Sequence, residues 1–168
     1  MRPGPAARPV RLRGHHLLCL LSYVGKGYDP DFVANLDRIA DRIAGGAPVV
    51  LVQGPDDICA PLAADPAAHC HRVQVAMRDR RAAADVGAVL RRPLRPGARL
   101  AFMARLAAMR RAFATGRSRT ACAGCPWHAL CTSVARGGFA GARVAPPAVG
   151  RPEGRAAAQE QPGSSRPS

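Results

Sequence analysis

Apolar positions recur along the chain at helical spacing, in blocks separated by Gly and Pro. Within Gly14 to Val24, Leu17, Leu20, Leu21 and Val24 fall at i, i+3, i+4 and i+7, which predicts a short helix ended by Gly25. His15, Cys19 and Ser22 gather on its opposite face, so the helix has one side for a core and another free for a site. The next block is the clearest helix: Asp29 is an N-cap and Pro30 suits the first turn. Phe32, Val33, Leu36, Ile39, Ala40 and Ile43 form its stripe, and Gly45-Gly46 stops it. Pro48 to Val52 is a β-branched run and reads as a short strand or extended segment. Further helices are expected over Arg72 to about Leu90, over Ala98 to Thr115 ahead of Gly116, and from Pro126 to about Ala135, with a turn at Pro93 to Gly97. The pattern predicts a mainly α, small single domain of about five helices with one short strand, or an α+β variant if that segment pairs.

The period is absent at both ends. Residues 1–9 and 145–168 are rich in Pro, Gly, Arg, Gln and Ser and read as disordered tails around a single domain over 10–144. No stretch approaches the ~18 apolar residues of a membrane span, and no secretory h-region is evident, so the expected location is the cytosol and no membrane is a partner. In that reducing compartment six cysteines point to metal binding or redox chemistry rather than a disulfide framework.

The net charge of +14 raises nucleic acid as a partner. Its distribution argues against that reading, because arginine supplies nearly all of the positive charge and no readout motif or interleaved aromatics accompany it. The localised feature is Val86 to Pro152, which holds 12 arginines and no Asp or Glu. Such surroundings lower thiolate pKa values and offset the charge of a thiolate-ligated centre.

Inside that field lies Thr120 to Cys131, "TACAGCPWHALC", with Cys122 and Cys125 in a loop at a helix start and Cys131 on the helix. Helical side chains lean toward the N-terminus, so the three sulfurs can converge. C-x2-C-x5-C is a three-thiolate half-cage that needs a fourth ligand, with Cys59, Cys70 and Cys19 as candidates. All-thiolate ligation suits tetrahedral zinc or an iron–sulfur cluster. Cys59 follows a strand end, where a rigid element presents a ligand, and is the first choice. Asp56 and Asp57 before it read first as turn and capping residues, and His69-Cys70-His71 is weak evidence for zinc. A thiol enzyme using Cys19 with His15 lacks an orienting acid in the sequence, and no catalytic constellation is identified.

The blocks "RLRGHHLLCLLSYVGKGY", "GPDDIC", "HC" and "CAGCPWHALC", in that order over roughly Arg11 to Phe139, resemble the DUF1284 family, small bacterial and archaeal proteins thought to bind iron–sulfur clusters. The matching positions are His15, His16, Cys19, Asp56, Asp57, Cys59, Cys70, Cys122, Cys125 and Cys131. The resemblance implies an iron–sulfur cluster ahead of zinc. The expectation is therefore one [4Fe–4S] cluster on Cys122, Cys125, Cys131 and Cys59, with Cys19 or Cys70 as the alternative fourth ligand and a redox protein as partner. The competing expectation is structural zinc with a basic nucleic-acid-binding surface.

Overall fold

Helix α2 (Pro30–Ala44) forms as its sequence signals require. Asp29 accepts a hydrogen bond from the Phe32 N–H at 2.8 Å, Pro30 occupies the first turn, and Phe32, Leu36, Ile39, Ala40 and Ile43 are buried. The computed structural model describes residues 7–146 and adds helices α1 (His16–Ser22), α3 (Val73–Leu90), α4 (Phe102–Ala114) and α5 (His128–Arg136). The molecule is mainly α, as its periodicity predicts. Most of the expected tails lies outside the described residues.

The extended segment is not alone. Strand β2 (Val49–Leu51) is the middle of a three-stranded sheet, parallel to β1 (Val10–Leu12) and antiparallel to β3 (Arg99–Leu100). Val10 pairs with Val49, Leu12 with Leu51, and Leu100 with Val49. The segment thus pairs as the α+β variant expects, with two further short strands beside it, and one boundary is corrected: the helix expected from Ala98 begins at Phe102. Strands of two or three residues carry no detectable period, and β3 exists because the ladder of β2 offers partners on both sides. Val10, Leu12, Val49, Leu51 and Leu100 join Leu17, Leu20, Leu21, Ile43, Phe102 and Phe113 in one core.

Two strand ends aim the chain at one region. Beyond β1 comes Arg13-Gly14-His15-His16; beyond β2 comes the loop that ends in Cys59. The loop is tied back to β1, with the Arg11 N–H donating to Asp57 Oδ2 at 2.9 Å and the Asp57 N–H donating to the Arg11 carbonyl at 3.2 Å. Gly14 lets β1's exit press against α3: a Cβ there would lie 2.1 Å from the Asp79 carbonyl oxygen. Arg110 of α4 donates to the Leu21 carbonyl at 2.9 Å and to that of Val144 at 2.7 Å, capping the end of α1. Asp85 of α3 accepts from both the N–H and the hydroxyl of Thr120, at 2.9 and 2.7 Å, and so anchors the short 3-10 turn Thr120–Cys122.

Candidate metal centre

Every residue of α1 is buried except Cys19, which is exposed between buried Leu18 and Leu20. The side chain opens onto a cavity of about 120 Å³, lined also by Cys122, Cys125 and Cys131. That is several times the ~10–15 Å³ that one water needs. Around it, protein atoms crowd Cys19 closely. Burial pushes its thiol well above the ordinary value, and the charges of Cys131, Cys125 and Cys122 push it further in the same direction. Four thiols thus face one another across a void.

The 3-10 turn and α5 deliver three of them. Gly124, at φ +72°, turns the chain between Cys122 and Cys125, a left-handed conformation that favours glycine. The Cys125 N–H donates to the Cys122 carbonyl at 3.1 Å, and the Cys131 N–H to the Trp127 carbonyl at 2.9 Å. Trp127 packs edge-on against Tyr28, ring centroids 5.7 Å apart, and both rings border the cavity. Burial raises the Cys122 thiol, opposed by the nearby Arg119 guanidinium. Arg119 itself lies over the Phe113 ring at 4.4 Å and donates to Thr132 Oγ1 at 2.9 Å, while its buried Nε has no close acceptor.

Cys59 faces a different set of groups on the same cavity. Burial and the Asp56 carboxylate push its thiol up to about 12, a nearby Cys70 adds to this, and Arg13 opposes it with an N–H 3.9 Å from Sγ. Asp56 is buried and fully engaged. It accepts from the N–H groups of Arg13, Ile58 and Cys59 at 2.8, 3.0 and 3.1 Å, and Oδ2 lies 2.7 Å from His16 Nδ1. Burial works against its ionisation, but the His16 ring and these donors outweigh it and hold the carboxyl at about 2. The donor atoms of His16, Asp56 and Cys59 lie within 4.8 Å of one another, so this His/Asp/Cys group could hold a metal ion. Beside it, His15 Nδ1 lies 2.6 Å from Asp79 Oδ1, and Arg13 Nε donates to Asp79 Oδ2 at 2.8 Å. Burial, then the neighbouring His16 ring, lowers His15 to about 4, so it is neutral near pH 7.

The expected ligands therefore fall into two groups. Cys122, Cys125 and Cys131 share their side of the cavity with Cys19, whereas Cys59 and Cys70 neighbour each other near Arg13, His16 and Asp56. The orienting acid that the sequence did not reveal for a histidine is present twice, as Asp79 for His15 and Asp56 for His16. Asp57, also in the resembling block, serves the loop through Arg11. Sequence reasoning passed over Arg13 and Asp79; adjacency of Arg13 to the His15-His16 pair was the available signal, and nothing local marked Asp79.

No curated protein and no solved structure matches the chain. A family model described as "Protein of unknown function (DUF1284)" matches residues 27–131, a span that holds Cys59, Cys70, Cys122, Cys125 and Cys131 but not His15, His16 or Cys19. Since that span is more than half of the 168 residues, the chain belongs to the DUF1284 family.

Proposed function

We propose that the protein binds one iron–sulfur cluster of the [4Fe–4S] type through Cys19, Cys122, Cys125 and Cys131. The observation that carries the reading is the exposure of Cys19 into a void that three further thiols line. This replaces Cys59 with Cys19 as the preferred fourth ligand. The residues suit such a group in donor chemistry, since four thiolates are its ordinary ligand set. Arg119 supplies positive charge at Cys122 and a buried Nε–H with no close acceptor, a donor available to a ligating sulfur.

Four thiolates are also a ligand set for structural zinc, so metal and sulfide analysis is what separates the two. When bound, the cluster supplies one-electron chemistry. Cys122, Cys125 and Cys131 are half-buried, which puts the centre near the surface and fits electron transfer or redox sensing with a redox partner better than a sealed structural role. Six free thiols fit a reducing, cytosolic setting. No helix among the described residues is long and apolar enough to cross a membrane.

Anaerobic purification with iron, sulfide and zinc analysis and a visible spectrum tests this. We expect brown protein with about four irons per chain. Cys19→Ser should lose the cluster as completely as Cys131→Ser, while Cys59→Ser keeps it. A colourless protein with stoichiometric zinc and no sulfide would sink the cluster reading; full iron in Cys19→Ser would return the fourth position to Cys59 or Cys70.

A further inference from the structure

We propose that His16, Asp56 and Cys59 form a second metal site, separate from the four-thiol group, which takes one divalent ion of the zinc class and keeps an open coordination position toward the shared cavity. The proposal does not depend on the cluster reading. One nitrogen, one oxygen and one sulfur donor within 4.8 Å of one another form a mixed set suited to a borderline ion. Three protein ligands leave a position for an exogenous molecule, as catalytic rather than structural sites do. His16 and Cys59 both line the cavity, so that position has somewhere to point.

Local charge permits the ion despite a buried arginine. Arg13 is paired with Asp79 at 2.8 Å, which leaves the Asp56 carboxylate and a Cys59 thiolate to balance two positive charges. On binding, the ion replaces the hydrogen bond between His16 Nδ1 and Asp56 Oδ2, His16 ligating as the neutral ring; the Cys59 S–H proton leaves to solvent and no redox change occurs. Cys70 lies near Cys59 but outside the close group of three donors, so among the described residues the site is three-ligand. The elements that bring the donors together are rigid: β1's exit, the loop after β2, and backbone N–H groups clamped on Asp56.

Cobalt(II) is the probe, because thiolate-to-cobalt charge transfer and intense tetrahedral ligand-field bands report a sulfur-containing low-coordinate site. Titrated into the full chain, it should bind one equivalent with both features. A Cys122→Ser, Cys125→Ser, Cys131→Ser triple variant, which dismantles the other group, should leave that spectrum intact; Cys59→Ser should abolish the charge transfer while cluster iron is retained. Asp56→Asn, which removes a charged ligand, should weaken binding by at least the ~10- to 100-fold that loss of an outer-shell partner costs. Azide should shift the ligand-field bands, since it enters the open position, and Cys70→Ser should change nothing. The site is refuted if no cobalt binds, or if the bands vanish in the triple variant and survive in Cys59→Ser. Its open position is refuted if azide leaves the bands unmoved or Cys70→Ser removes them. Should Cys59→Ser not fold, His16→Gln serves, with loss of binding expected and wild-type affinity refuting the site.

Discussion

Asp56 shows how one side chain can serve both fold and site. Its carboxylate collects three backbone N–H groups and His16, joining the exit of β1 to the loop after β2. Removing it leaves those donors unpaired in the interior, and Asp56→Ala should cost about 3–5 kcal/mol in denaturant unfolding. The pH dependence follows from its depressed pKa. The folded value is about 2, against ~3.9 in an unfolded chain. The unfolded state therefore takes up the proton first as acid is added. The stabilisation is fully present above pH ~4–5, declines as pH falls and is lost once pH passes about 2, a change on the order of 2 kcal/mol. Urea titrations of metal-free protein from pH 6 to 2 would show it, and an Asp56→Asn chain should lack that part of the slope. Arg119 acts on the other group: Arg119→Gln removes positive charge beside Cys122. If the four thiols hold the proposed cluster, this should make its reduction potential more negative in an anaerobic redox titration, because the added electron loses a favourable neighbour.

At the scale of elements, the site depends on a close approach between β1's exit and α3. Gly14 leaves no room for a Cβ against the Asp79 backbone, so Gly14→Ala should destabilise by about 1–3 kcal/mol and loosen the contacts of His15 and Arg13 with Asp79. Chemical denaturation measures the first effect; an unchanged midpoint would mean that α3 shifts freely. Helices α2 and α5 were legible because their stripes and flanking Pro and Gly residues are local signals. The stop of α1 at Ser22 and the start of α4 at Phe102 were not, since Arg110 reaching Leu21 and the pairing of Leu100 with Val49 are contacts between distant segments.

Across the whole molecule, the cavity is where most of the elements meet. α1 brings Cys19, the turn anchored on α3 brings Cys122, α5 brings Cys131, and the loop after β2 brings Cys59. A group bound by the four thiols would bridge α1, the turn and α5 but not the sheet or α2. Loss of the proposed cluster should therefore raise amide hydrogen exchange in Thr120–Cys122 and α5 far more than in β2 or α2, and lower the melting temperature by mass action. Equal increases everywhere would mean that the centre holds the entire fold together. The Arg-rich, acid-free sequence field contributes to this arrangement chiefly through Arg119 and Arg110, which reach inward.

The sequence alone determined the helical class, the caps of α2, and the grouping of three cysteines around one helix start, because each is written in residues a few positions apart. Tertiary structure alone decided which distant cysteine faces those three. Cys19, Cys59 and Cys70 are equivalent as thiols, and periodicity cannot say which wall of a cavity a residue occupies. Only packing turned Cys19 into the void and placed His16, Asp56 and Cys59, from two separate strand exits, within 4.8 Å of one another.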